Sequence, residues 1–303
     1  MSAETHLEVY RRFPGRLHES RLRFYPIWSS GLATALKQKK ALFILYLPAL
    51  IATVILSFIV YGMFTIQGMA GNEELGPGLQ DLGARMLLAR AEQMFQVVGM
   101  ILDFHATMAT FAILVVAWFA SGLFCEDRKA GAHQLYFARP ITRLDYFLGK
   151  FGIAAFFALT FMLVPVLVVC LMACLCSPEW SFLKDEWDVF PRAISFSLLW
   201  ATVVSSVVLL ASSLASRRSF ALIGVFAVVF ISVPVSQVLG EFVSEHLYAL
   251  SLGNDLLVLS HDFFGREVEG HGSVADAWIA LIALLAFSWS VIALRLRRLE
   301  VVA

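Results

Sequence analysis

Three groupings of side chains have the types that do chemistry. Asp103 and His105 flank Phe104 at the edge of a long apolar run. An ionisable residue at membrane depth is by default a candidate for function, and the plain alternative is that the two mark where the apolar segment ends. A second grouping, in residues 241–276, holds His246, His261 and His271 among Glu241, Glu245, Asp255, Asp262, Glu267 and Glu269. Histidines with carboxylates bind metals, yet His261 and His271 fit no recognised ligand spacing, so no metal is expected. Cys170, Cys174 and Cys176 form the third. Their C-x3-C-x-C spacing is not that of a zinc ribbon, and cysteine commonly packs as a small apolar group, which is the reading adopted. Several reactive motifs are missing. The one Gly-Lys pair, Gly149-Lys150, is followed by Phe151, so there is no phosphate-cradling G-x-x-x-x-G-K-[ST] loop. G-x-S-x-G and H-E-x-x-H are also missing. This chain is expected to do no catalysis and to bind no cofactor of its own.

The elements around these residues explain why. The 303 residues are 59% hydrophobic and 15% charged, with a net charge of +0. Soluble domains run near 45–50% apolar and about 25% charged. A disordered chain is excluded by the apolar content, a disulfide scaffold by a cysteine count of 4, and a nucleic-acid binder by the lack of a basic field. What remains is a polytopic membrane protein. Crossing the hydrocarbon takes about 20 apolar residues in a helix. Runs free of Asp, Glu, Lys and Arg occur at 41–63, 106–124, 151–176, 193–215, 220–240 and 277–294. A charge at a helix centre costs about 2.5–3.5 kcal/mol on insertion. The runs are continuous rather than alternating, which predicts helices and not barrel strands. The fold class expected is all-α, with six transmembrane helices.

Charge sorting orients them. Arg11, Arg12, Arg16, Arg21, Arg23, Lys37, Lys39 and Lys40 precede span one. Arg128, Lys129, Arg139, Arg143 and Lys150 lie between spans two and three, Arg217 and Arg218 between four and five, and Arg295, Arg297 and Arg298 after span six. Basic residues gather in cytoplasmic loops, so both termini are expected inside. The long basic stretch before the first apolar run predicts no cleaved signal peptide. Within residues 1–40, Trp28, Leu32 and Leu36 recur at helical spacing ahead of Lys37, predicting a helix lying in the inner interface. The first outer loop, 64–105, opens on turn formers (Gly68, Gly71, Asn72, Gly76, Pro77, Gly78). It then turns helical, with Leu79, Leu82 and Met86 on one face and an Asp81/Arg85 pair. Short helices are expected in the last outer loop. Pro48, Pro165 and Pro234 lie within spans and are candidate kinks, and Ala201, Ser205 and Ser212 give span four a small-residue seam.

The loop of residues 125–150 is charged and patterned. Glu126-Asp127-Arg128-Lys129 leave span two, and a short amphipathic segment follows at 133–138. Next comes Arg139-Pro140-Ile141-Thr142-Arg143. Pro140 disfavours helix at Arg139, and Thr142 is placed to cap a helix starting near Leu144. Glu126, Gly131, Leu135, Arg139, Pro140, Ile141, Thr142, Arg143, Tyr146, Gly149 and Lys150 together resemble the signature of ABC-2-type permease subunits of ATP-binding-cassette transporters. Ala132 departs from it, where the family often has Thr. The long first outer loop is similar to the branch containing the nitrous-oxide-reductase maturation permease.

The resemblance implies a permease subunit whose 125–150 loop (Glu126, Asp127, Arg128, Gly131, Arg139, Pro140, Thr142, Arg143, Lys150) forms a coupling helix on an ATP-binding partner. It further implies two copies of that partner, which would hold ATP and Mg. A second permease copy, identical or related, is implied as well. The setting would be the bacterial inner membrane, with export or maturation of a periplasmic partner as the task. Membrane lipid is the remaining neighbour. Two readings of other kinds stand beside this one. An integral-membrane enzyme acting on a lipid or carrier would draw on Asp103/His105 or the His261–His271 region. A stand-alone scaffold or immunity protein would need neither.

Overall fold

The computed structural model describes residues 22–71, 96–132, 141–267 and 270–297. The expected helix at 79–86 and the segment 133–138 lie outside them. Every regular element among the described residues is helical. A first helix, α1 (Tyr25–Leu36), leads into α2 (Lys39–Gly71). Then follow α3 (Val97–Ala120), the short α4 (Cys125–Lys129), α5 (Arg143–Cys176), the short α6 (Ser181–Asp185) and α7 (Val189–Leu214). Next, α8 (Arg218–Phe226) and α9 (Ser232–Phe242) are joined by one π-type turn, Ala227–Ile231. The chain closes with α10 (Leu252–Phe263) and α11 (Val274–Arg297). Six helices are long and apolar enough to cross a membrane, and they coincide with the six runs read from the sequence.

The boundaries differ in instructive ways. Span one continues as helix through Gly68 to Gly71, where turn formers predicted a loop. Glycine costs a helix interior about 1 kcal/mol against alanine, too little to end so long a helix. Span two starts at Val97, so Asp103 and His105 sit inside the helix rather than before it. Pro48, Pro165 and Pro234 all lie within helices.

Spans two, three and four form the centre. Ala112, Val116, Ala120, Ile153, Phe157, Phe161, Trp200 and Val208 are fully buried there. Phe119 of α3 stacks on Phe157 of α5 with ring centroids 4.2 Å apart. The small-residue seam of span four is buried as expected, with Ala201, Ser205 and Ser212 inside. Cys170 and Cys174 are buried free thiols. Spans one and five lie at the edge, exposing Phe43, Leu50, Phe58, Phe220, Ile223 and Phe230. Such surfaces suit hydrocarbon. Polar tethers fix the outer spans to the centre: the Tyr46 and Thr160 hydroxyls are 2.6 Å apart, and Trp289 Nε1 donates to Ser206 Oγ at 2.9 Å.

The first helix lies against the start of span three, as an interfacial helix would, but turned from the expected face. Ile27 and Ala35 are buried, Trp28 and Leu32 half-buried, and Leu36 exposed. The reason is on α5. A Cβ at Gly149 would stand 2.8 Å from Ile27 Cβ, and one at Gly152 2.8 Å from Trp28 Cδ1. Two missing side chains one turn apart thus make a groove, and the groove selects the face that enters it.

Candidate functional site

The 125–150 loop is built from the bundle outwards. The turn after span two brings α4 across the end of span four. There Ser212 Oγ accepts the N–H groups of Phe124 at 3.0 Å and Cys125 at 3.4 Å. These are donors of a helix start that would otherwise lack partners. Glu126 and Asp127 occupy the first turn of α4, Arg128 and Lys129 the last, the order that the helix dipole favours. Arg128 reaches back to span four. Its Nη1 donates to the Ser213 carbonyl at 2.7 Å, and its Nη2 to the Ala215 carbonyl. A helix end leaves such carbonyls unfilled, and a guanidinium fork suits two of them. Gly131, at φ +66°, turns the chain away after α4.

The other attachment is to span three. Lys150 is 5% exposed, and its Nζ lies 2.7 Å from Asp127 Oδ2. Tyr146, one turn earlier on α5, donates its hydroxyl to the same Oδ2 at 2.8 Å. The ammonium sits 5.6 Å from the Tyr146 ring centroid. Thr142 caps α5 as expected: its Oγ1 accepts from the Asp145 N–H at 3.1 Å, and its own N–H donates to Asp145 Oδ2 at 3.0 Å. This is a reciprocal capping box. Between α1 and α4 lies a cavity of about 270 Å³, with Gln38, Glu126, Asp127, Lys150 and Arg218 in its wall.

The family profile described as "ABC-2 family transporter protein" matches residues 34–264. The chain belongs to the ABC-2 transporter family. The match runs from the end of α1 through α10 and takes in the whole 125–150 loop. No curated protein matches the sequence.

In this ABC-2 family chain, the residues of the 125–150 loop divide by place. Glu126, Lys129, Thr142 and Arg143 are exposed; Asp127, Arg128 and Gly131 are half-buried; Lys150 is buried. Arg139 and Pro140 lie outside the described residues. The loop's charges therefore divide. Asp127, Arg128 and Lys150 fasten α4 to spans three and four, Lys129 and Arg143 are exposed, and Glu126, also exposed, lies back over Gly122 at the wall of the α1/α4 cavity. Sequence reasoning missed Ser212 and Ser213 as the partners on span four, and Gly149 as the seat of α1. The spacing Gly149-x-x-Gly152, one turn on a helix otherwise crowded with large residues, was the signal available.

The other candidates do not converge. Asp103 is exposed, whereas His105 is buried, because positions two apart on a helix face different ways. His105 Nδ1 lies 2.8 Å from the Ile101 carbonyl oxygen, its Nε2 3.5 Å from Ser197 Oγ, and its ring packs on Phe196. His261 Nδ1 lies 2.9 Å from the Glu267 carbonyl oxygen, and the His271 ring packs at a tilt against Tyr248, centroids 4.6 Å apart. Among the described residues, no three His, Cys, Asp or Glu side chains come together as metal ligands would. Asp255 on α10 is 2% exposed, and its Oδ1 has no hydrogen-bond partner among the described residues. Burial first, and the Asp276 carboxylate second, push its carboxyl up to about 8. Asp276 Oδ2 lies 2.9 Å from His246 Nδ1 and accepts from Ser273 Oγ at 2.8 Å.

Proposed function

We propose that this chain, a membrane permease component of an ABC transporter by its family, receives the work of ATP hydrolysis from a separate ATP-binding subunit at its 125–150 loop. One observation supports this above the rest: α4 is attached to spans three and four at once. Asp127 ties it to Lys150 and Tyr146, and Arg128 and Ser212 tie it to the end of span four. A force applied to α4 is thus delivered to two of the three central helices through short polar contacts. The interior around them is close-packed and transmits strain. The exposed residues Glu126, Lys129 and Arg143 supply the charge that a docking groove would read.

In this reading the end carrying α1 and α4 faces the cytoplasm of a bacterial cell. Two ATP-binding subunits and a second permease copy complete the assembly. ATP and Mg are bound by the partner, since Gly149-Lys150-Phe151 is no phosphate loop. The work drives export or, as in the nitrous-oxide-reductase maturation branch, a periplasmic assembly step.

The test is the double change Glu126→Ala with Arg143→Ala, assayed by co-purification of the cognate ATP-binding subunit and by coupled ATP turnover. Leaving a buried charge unpaired in an interface costs about 2–5 kcal/mol, so subunit binding should weaken at least tenfold. Surface substitutions shift stability by only about 0.5 kcal/mol, so membrane insertion should persist. The matched control, Glu267→Ala with Glu269→Ala, should bind like the parent. Equal binding and turnover by both doubles would show that this loop is not the coupling element.

A further inference from the structure

A second cavity, also of about 270 Å³, lies between the start of α5 and the end of α11, at the end of the bundle that carries α4. Among the described residues, its lining is apolar except for Arg143 and Arg297. Arg143 opens α5 and Arg297 closes α11, so both charges stand at the same end of the two helices. From there the cavity runs inwards past Leu296 and Ile292 to Phe147 and Trp289. Trp289 precedes Arg297 by two turns of helix, about 12 Å at about 1.5 Å per residue. These walls are fixed in place. Ile292 and Leu296 are buried, Trp289 Nε1 donates to Ser206 Oγ at 2.9 Å, and the Phe147 ring meets Trp289 edge-on with centroids 6.1 Å apart.

Two cations at one end of an apolar cleft fit an anionic amphiphile. Guanidiniums pair strongly with phosphate oxygens, and basic pockets between spans take anionic head groups. Water suits the deep end poorly. It needs two to four polar partners, and the one polar side-chain atom of Phe147, Trp289 and Ile292 is the Nε1 already donated to Ser206. That end also lies well inside a helix apolar enough to cross a membrane, a depth that a soluble subunit does not reach. A second copy seated on the cleft about a two-fold axis would set Arg143 and Arg297 against the same two residues, and like charges opposed across an interface repel.

We propose that this cavity binds an anionic bilayer phospholipid, with its phosphate at Arg143 and Arg297 and one acyl chain along Phe147 and Trp289. The inference stands apart from the coupling role of loop 125–150, and the variants that test it leave that loop intact.

The experiment uses the full chain in phosphatidylcholine nanodiscs. They are doped with a probe, either phosphatidylglycerol or phosphatidylcholine, that bears a diazirine partway along one acyl chain. Adducts are mapped by mass spectrometry after irradiation. The phosphatidylglycerol probe should label residues 289–293 at least fivefold more than the phosphatidylcholine probe. Arg297→Gln removes one of the two charges and should cut that preference at least threefold. Ala293→Trp fills the apolar part and should cut the phosphatidylglycerol adduct at least fivefold. Equal labelling by the two probes would overturn the proposal, and so would a parent without adducts at residues 289–293, which would show that protein rather than lipid covers the cleft. A phosphatidylglycerol adduct unchanged in either variant, with that variant folded by circular dichroism, would overturn it as well.

Discussion

The Asp127–Lys150 pair gives the sharpest test of how α4 is held. Its nitrogen–oxygen distance is 2.7 Å, with the side chains 7% (Lys150) and 18% (Asp127) exposed. Arg192 and Asp188 form a pair of the same length on the surface, at 41% and 40% exposed. Distance is thus constant and burial varies. Removing one partner of a fully buried pair costs about 3–5 kcal/mol, and exposed pairs are worth about 0–1 kcal/mol. Lys150→Met leaves the Asp127 carboxylate with the Tyr146 hydroxyl and some solvent, so we expect about 2–3 kcal/mol. At about 2–4 °C per kcal/mol for a chain of this order of size, the midpoint should fall by about 4–12 °C. Asp127→Asn should cost a similar amount, because it takes the carboxylate away from the buried Lys150 ammonium. The double variant buries neither charge, and it should be less destabilised than the sum of the singles by about 1.5–3 kcal/mol. Arg192→Ala should change stability by no more than about 1 kcal/mol. The assay is tryptophan-fluorescence melting in detergent, all variants at one protein and detergent concentration. Additive single changes, or a Lys150→Met midpoint within a degree of the parent, would refute the claim that burial makes this pair a fastening.

Gly149→Val should detach α1: its Cβ would meet Ile27 at 2.8 Å and the Phe24 carbonyl at 3.2 Å. Overpacking of this kind costs about 1–3 kcal/mol, and faster proteolysis at residues 22–38 than in the parent should report it. For Asp255, the folded carboxyl titrates near 8, above its unfolded value of 3.8. Its contribution is therefore fully present below pH 4 and lost as pH rises towards 8. Asp255→Asn should raise the melting midpoint at pH 8.5 by several degrees relative to the parent and leave it nearly unchanged at pH 4; equal effects at both would show that the carboxyl is not desolvated. A reporter active only outside the cytoplasm should work when fused after Gly71 or Gly270 and fail after Ala130 or Ser216; activity at Ala130 would overturn the orientation.

The sequence by itself determined what the bilayer demands. Hydrocarbon requires about 20 uncharged residues per crossing, and the six runs that meet this became the six spans. Thr142 announced a cap because N-capping is local chemistry, and the structure forms it, adding Asp145 as the reciprocal partner. Which faces of the spans meet was not legible, since helices apolar around their whole circumference carry little periodic signal. Leu36 looked like part of the buried stripe of α1, yet Ile27 and Ala35 are inside, because Gly149 and Gly152 of a distant helix make the groove. Asp103 and His105 looked like one site, and helical geometry points them apart. In the 125–150 loop the sequence displayed the charges but not their partners. Only the tertiary structure decided that Asp127 closes on Lys150 and that Arg128 and Ser212 bind the loop to span four. Those partners are far apart in sequence, and a buried charge must find its partner wherever packing brings one near.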